Sequence, residues 1–347
     1  MANNTKYVLM GFIYVFVISG LVFEYMSSRK LSRLTDQMMR SYLRSNTSRL
    51  ISGGRLSNIS TIKASRPPKP FGTVNIDWSG INMTAVNNLR KKIKKYFDGK
   101  LTVIVYKRTT SVDDMIFQKN VSELGKANVT EYLPHQDTCA LIGNSGILLN
   151  SSCGREIDAH DIVVRANSAP TAGYERDVGY KTSLMMFNHA SLLVVKKSMR
   201  SKPLPKSMNK MQMFMDFNDT IVWYALAAGG LGTSILKTAF SKLARDNIRV
   251  AYSINSPMTI SKRLWHLSLP STGLNMISSM SYYCDKISLY GFFPFYVDEH
   301  GRRLQHHYYE HLQYNYTHSH HKMPYEFIQL TKLRNSGVLR LVTDRCY

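Results

Sequence analysis

Residues 139–146 read Cys-Ala-Leu-Ile-Gly-Asn-Ser-Gly. An apolar run ends in a turn bracketed by Gly143 and Gly146, where a helix can start. Strand, glycine turn and helix in that order present backbone N–H groups to a phosphate or nucleotide at the strand's carboxyl end. On their own, the same four turn residues also make an ordinary turn. They are not G-x-G-x-x-G and no P-loop lysine follows, which disfavours dinucleotide and ATP binding.

Further short apolar runs follow: DIVVRA (161–166), SLMMF (183–187), TIVWYAL (220–226), IRVAYSI (248–254) and KISLYGF (286–292). Stretches able to form helices lie between several of them, such as Gly232–Leu243 and Thr272–Cys284. Buried strands separated by helices predict an α/β domain with a largely parallel sheet. No internal repeat of 20–50 residues is present. One globular domain is expected over residues 86–347. Residues 24–85 are rich in Ser, Asn, Thr and Arg, with Gly53-Gly54 and Arg66-Pro67-Pro68-Lys69-Pro70, and read as a stem that is semi-rigid around the prolines. The run Arg90–Lys95 suits a solvated helix face and a polyanion contact equally.

The 347 residues carry 45 Lys+Arg against 23 Asp+Glu, a formal charge of +22, with 44% hydrophobic residues. Such a chain can bury a core, and is neither wholly disordered nor a multi-span membrane protein. The charge points to a polyanionic partner: nucleic acid, anionic membrane, nucleotide sugar or acidic glycan. The four cysteines form no C-x-x-C pair, so a zinc ribbon is out. Residues 7–23 are 17 residues without a charge, bounded by Lys6 and Glu24. No small-x-small cleavage site follows, so they read as an uncleaved transmembrane anchor behind a cytosolic tail of residues 1–6. Arg29, Lys30 and Arg33 after the span do not favour a lumenal C-terminus on the positive-inside count. Sequons argue the other way. Nine N-x-Ser/Thr sites occur, at Asn3, Asn46, Asn58, Asn82, Asn120, Asn128, Asn150, Asn218 and Asn315, where chance predicts about three. That excess, with an even cysteine count, fits a glycosylated lumenal body; the glycosylation candidates are Asn46, Asn58, Asn82, Asn120, Asn128, Asn218 and Asn315.

Residues 139–188, CALIGNSGILLNSSCGREIDAHDIVVRANSAPTAGYERDVGYKTSLMMFN, closely resemble the long sialylmotif of animal sialyltransferases. Gly143-Asn144-Ser145-Gly146, Arg165-x-Asn167-x-x-Pro170 and Asp177-Val178-Gly179 stand at family spacing. Residues 270–295 resemble the short sialylmotif, His307-Tyr308-Tyr309-Glu310 the third motif, and His321-x-x-x-x-Glu326 the very short one. Cys153, Cys346 and the C-terminal tail are most similar to those of the α2,8-sialyltransferases. The resemblance implies disulfides Cys139–Cys284 and Cys153–Cys346; spacing alone leaves three pairings open. It implies a Rossmann-like variant GT-A glycosyltransferase fold, in a single-pass type II Golgi protein with its catalytic domain in the lumen. The implied reaction moves sialic acid from CMP-sialic acid to a sialylated glycoprotein or glycolipid in α2,8 linkage, with inversion.

Asn144 and Asn167 follow strands, where their amides can donate to and accept from a ribose or phosphate. Ser271-Thr272-Gly273 can start a helix whose free N–H groups, hydroxyls and dipole suit an anion, and in the family this segment contacts the donor. The resemblance assigns the general base to His321, an imidazole suited to taking the acceptor proton. His307 either steadies the departing phosphate or holds its loop, and Glu326 orients its segment. Six of the eleven histidines lie between His306 and His321, but His318-x-His320-His321 lacks an H-E-x-x-H helix or cysteine partner, and no D-x-D occurs. No metal or cofactor is expected.

Two departures stand out. Phe293, on the expected donor side, replaces the Trp usual in close α2,8 relatives, losing an indole N–H. Asn188-His189-Ala190, on the expected acceptor side, replaces a frequent Asn-Pro-Ser. Basic stretches at Arg90–Lys95 and from Lys196 to Lys210 are not specific matches to polymerising members, so addition of one or a few sialic acids is favoured. The rivals are an α2,3- or α2,6-sialyltransferase acting on Gal or GalNAc, a silent binder of acidic glycans or nucleotide sugars, and a nucleic-acid-binding protein, which the anchor and sequons disfavour.

Overall fold

A computed structural model describes residues 74–97, 103–106, 133–198, 220–227, 248–253, 257–310 and 321–346. The expected anchor (7–23), most of the stem, the sequons Asn46, Asn58, Asn120, Asn128, Asn218 and Asn315, and the basic residues Arg200, Lys202, Lys206 and Lys210 lie outside them. Among the described residues, no helix is long and apolar enough to cross a membrane.

Eight strands form one sheet in the order β1-β6-β5-β4-β3-β2-β7-β8. They are β1 (Val103–Tyr106), β2 (Gln136–Ile142), β3 (Ile162–Ala166), β4 (Leu184–Phe187), β5 (Thr220–Ala227), β6 (Ile248–Ser253), β7 (Cys284–Tyr290) and β8 (Arg340–Val342). All pairings are parallel except that of edge strand β1 with β6. The chain lays β3 to β6 down on one side of β2, then returns to place β7 on the other side. The β2/β7 boundary is therefore a topological switch point, where the connections leave a crevice at the carboxyl ends of the strands.

The strands read as unbroken apolar runs because both faces of the sheet are covered. Every residue of β3 and β4 is buried. Alternate side chains enter different cores. Cys139, Leu141, Val164 and Met186 join one with helices α1 (Met83–Lys94), α5 (Pro257–Trp265), α6 (Thr272–Tyr283) and α7 (Met323–Asn335), through Ile93, Ile260, Ile277 and Leu330. Ala140, Ile142 and Val163 join the other with α2 (Gly154–Asp158) and α3 (Glu175–Val178), through Ile157 and Val178. Helix α4 (His189–Ser198) follows β4. Truncating Leu141, fully buried, to Ala would cost about 2–5 kcal/mol.

Disulfides join Cys139 to Cys284 and Cys153 to Cys346. The first ties β2 to β7, so β7 starts at Cys284 rather than at Lys286, with Gln136 opposite Cys284. Helix α6 accordingly ends at Tyr283, one residue before the expected Cys284.

The body also begins earlier than residue 86. Asn82 caps α1, its Oδ1 accepting from the N–H groups of Thr84 and Ala85 at 3.0 and 3.2 Å. Its own N–H donates to the Gly337 carbonyl at 2.8 Å, so the end of the expected stem is held against the C-terminal segment. Asn82 and Asn150 are exposed. In the Arg90–Lys95 run, Arg90 is not a free cation: it donates to the Ser281 and Cys284 carbonyls and pairs with Asp285 at 2.9 Å. Lys91, Lys92, Lys94 and Lys95 are exposed. Val297–Arg303 falls in a separate compact unit with its own bridge, Val297 to Arg303, and an Asp298–Arg302 ion pair at 2.6 Å.

Candidate active site

An open cleft of about 240 Å³ lies at the switch point, at the carboxyl ends of β2, β3, β4 and β7. Its walls include Asn144, Asn167, Asn188, Ser271, Thr272, Gly273, Phe293, His307 and His321, so every expected catalytic, donor-side and acceptor-side residue meets there. The β2 and β7 turns touch. A Cβ on Gly143 would lie 2.4 Å from the Gly291 carbonyl oxygen, so the close approach requires a glycine.

The three asparagine amides have orientations set by backbone partners. Asn144 Nδ2 donates to the Ala166 carbonyl at 3.2 Å, and its buried Oδ1 has no protein partner. Asn144 therefore offers the cleft an acceptor, suited to a hydroxyl or amine. Asn167, in left-handed backbone at φ 59°, accepts the Asn188 N–H at Oδ1, 3.1 Å away. Its free end is the NH₂ group, a donor suited to an anionic oxygen. Asn188 accepts the Ser191 N–H at 2.8 Å, capping α4, and donates from Nδ2 to Thr272 Oγ1 at 3.1 Å. The expected acceptor-side residue is thus bonded to the donor-side segment.

Helix α6 aims its N-terminus at the cleft. Ser271 caps it, Oγ accepting the Leu274 N–H at 3.1 Å. The same hydroxyl meets Glu326 Oε2, and the Ser271 N–H donates to Glu326 Oε1 at 2.8 Å. Ser271 was expected to contact the donor directly, but its hydroxyl and N–H are engaged within the protein. The groups left for an anion are the Thr272 hydroxyl and the first-turn N–H groups of Thr272 and Gly273. Glu326 is 5% exposed. Burial pushes its carboxyl above the usual 4.5, opposed by the Ser271 bonds and by His321.

His321 Nδ1 lies 3.0 Å from the Leu269 carbonyl oxygen. A carbonyl only accepts, so Nδ1 carries the hydrogen and Nε2 keeps its lone pair. His307 is held differently: its Nδ1 donates to Glu310 Oε2 at 2.7 Å, and its ring stacks on Tyr309 at 5.3 Å. His306 lies against it, centroids 4.0 Å apart. Burial lowers the His306 pKa, with His307 adding to the effect and Glu310 opposing it.

Phe293, expected to contact the donor, is 5% exposed, its ring packed edge-on to Phe295 and Phe327. Ser145 Oγ fixes its carbonyl at 2.6 Å. It forms part of the cleft's aromatic floor. The neighbouring Phe292, not anticipated from the sequence, packs over the start of α6: a Cβ on Gly273 would lie 2.6 Å from its ring. The signal was the glycine after Ser271-Thr272, which marks a close approach. His306 was also missed. Among the described residues no three His, Cys, Asp or Glu side chains gather as a metal site would require. His318 and His320 lie outside the described residues.

Arranged this way, the cleft offers donors and a helix N-terminus to an anion, an orphaned acceptor to a hydroxyl or amine, and an imidazole lone pair to a proton. The pattern of Glycosyltransferase family 29 (sialyltransferase) matches residues 81–338. A Xenopus laevis protein named alpha-N-acetylneuraminide alpha-2,8-sialyltransferase is 33% identical over 294 residues, 77% of this chain and 78% of that protein. A Xenopus tropicalis protein of the same name is 35% identical over 244 residues, 63% of this chain and 66% of that protein. A crystal structure of a mammalian sialyltransferase aligns with 75% of this chain and 85% of its own at 22% identity, with a TM-score of 0.44, a likeness too slight to argue from.

Proposed function

The chain belongs to glycosyltransferase family 29, the sialyltransferases, and from that premise we propose that it transfers sialic acid from CMP-sialic acid to the 8-hydroxyl of a terminal sialic acid on a glycoprotein or glycolipid. The α2,8 linkage rests on the two Xenopus relatives' names and on the Cys153–Cys346 disulfide. The donor phosphate lies at the N-terminus of α6, taken by the N–H groups of Thr272 and Gly273 and by Asn167 Nδ2. Asn144 Oδ1 accepts from a donor hydroxyl or amine. The bond from the anomeric carbon to the phosphate oxygen breaks and CMP leaves. The acceptor oxygen attacks from the opposite face, and its proton passes to His321 Nε2, giving inversion without a covalent intermediate. His307, held by Glu310, stands near the leaving group. Protein donors and the helix dipole offset the phosphate charge without a metal, so chelator leaves the rate unchanged. The parallel sheet with its switch-point cleft supports the Rossmann-like GT-A variant. The apolar stretch 7–23 and the sequon excess support a type II anchor in the Golgi membrane.

The observation that carries the reading is the Leu269–His321 bond, which fixes the orientation of an imidazole in the wall of a cleft otherwise built for an anion. A fragment from about residue 60 onward, given labelled CMP-sialic acid with chelator, tests it. Label entering a sialylated acceptor supports the reading. Label entering only galactose-terminated acceptors overturns the linkage, and CMP binding without transfer to either overturns the reaction.

A further inference from the structure

Thr272 stands at the first position of α6 in the cleft wall, and the direction of its hydroxyl proton is set by Asn188. The Ser191 N–H can only donate, and it does so to Asn188 Oδ1 at 2.8 Å. The other end of the amide, Nδ2, therefore faces Thr272 Oγ1 at 3.1 Å as a donor. A hydroxyl that accepts there must send its own proton elsewhere. We infer that Asn188 is a positioning residue for the donor phosphate, aiming the Thr272 O–H at it, rather than a contact for the acceptor sugar. This rests on the donor reading above.

Asn188 acts on two cleft donors at once. Its backbone N–H holds Asn167 Oδ1 at 3.1 Å, which leaves the Asn167 NH₂ group facing the same anion. One residue just beyond β4 thus polarises both neighbours in the same sense, hydrogens inward. The cap on α4 fixes Asn188 itself. Each bond to the phosphate is charge-assisted, so losing the one from Thr272 weakens binding by about tenfold.

The test compares CMP with cytidine, which lacks the phosphate, by calorimetry on the secreted catalytic fragment. Asn188→Asp keeps an oxygen for the Ser191 N–H but presents an acceptor to Thr272, so the hydroxyl proton turns away from the ligand. CMP affinity is expected to fall about tenfold or more while cytidine affinity holds. Repulsion by the new carboxylate would also weaken CMP, so the same substitution is made in a Thr272→Val background. There the hydroxyl is already gone, and positioning predicts that most of the Asn188→Asp penalty disappears. Thr272→Ser, which keeps the hydroxyl, is expected to bind CMP within about twofold of wild type. An undiminished penalty in the Thr272→Val background, or unchanged CMP affinity in Asn188→Asp, overturns the inference while leaving the donor reading intact. Wild-type protein that leaves CMP unbound overturns the donor reading, and the inference with it.

Discussion

The Nδ1 of His321 lies 3.0 Å from the carbonyl oxygen of Leu269, 52 residues earlier in the chain. One hydrogen bond selects the tautomer with a basic Nε2, and it ties the base to the segment that leads into α6. Base and anion site are thus held by adjoining residues, Leu269 and Ser271–Gly273.

Replacing His321 with Ala removes the proton acceptor but no group that faces the phosphate. Transfer is expected to fall by about 10²–10⁴, with CMP affinity unchanged within about twofold. Rates and calorimetry on one preparation check both halves. Substantial residual turnover would exclude His321 as the base.

Glu326 joins α7 to the cap of α6. Glu326→Ala leaves the Ser271 N–H unpaired, at a cost of about 1–3 kcal/mol in denaturant unfolding. The buried carboxyl has a raised pKa, so the fold keeps its proton after the unfolded chain has lost it. Its stability contribution is therefore complete below pH 4.5 and declines as pH rises through the folded value. Glu326→Gln removes that decline, so the stability difference shifts in the variant's favour above pH 4.5. A constant difference from pH 4 to 7 would contradict this.

Gly143 and Gly273 separate stability from binding. A methyl at Gly273 meets a Phe292 side chain that can turn, whereas one at Gly143 meets the backbone of Gly291. Gly273→Ala is expected to raise the donor KM several-fold with little change in Tm. Gly143→Ala is expected to destabilise the protein by about 1–3 kcal/mol. Equal Tm losses in the two would be evidence against this division.

Most of the cleft was readable from residues at strand ends. Asn144 and Asn167 follow apolar runs, and Ser271-Thr272-Gly273 opens a helix, so burying the runs as parallel strands brings those residues to one edge. The directions of the hydrogen bonds were not readable. Ser271 looked like a free cap hydroxyl, but Glu326 takes it from 55 residues away. Asn188, on the expected acceptor side, also bonds Thr272, 84 residues away. Phe293 drew notice for replacing Trp, yet its ring packs on Phe295 and Phe327 while Phe292 covers Gly273. Pairings between distant segments decide each case, and no local pattern carries them. The start of α1 was missed because its apolar positions, Val86, Leu89 and Ile93, sit in a strongly basic stretch.

Behind the sheet, His160 is a buried neutral imidazole. Its Nδ1 donates to the Glu156 carbonyl at 2.9 Å, and its Nε2 accepts from Ser288 Oγ at 3.0 Å. Burial lowers its pKa from 6.5 to about 4. The unfolded chain protonates first on acidification, so this stabilisation is present above pH 6.5 and lost as pH falls from 6.5 to 4. The loss amounts to about 3 kcal/mol. His160→Gln is expected to flatten that limb of the stability curve; an unchanged slope would mean that the imidazole titrates freely in the folded state.

The most direct measurement offers the catalytic fragment paired acceptors ending in sialic acid and in galactose, with labelled CMP-sialic acid and excess chelator. The account predicts label on the sialylated acceptor alone, in a product that only an α2,8-competent sialidase cleaves, and no label from His321→Ala. Label on bare galactose, or transfer that requires added metal, would contradict it.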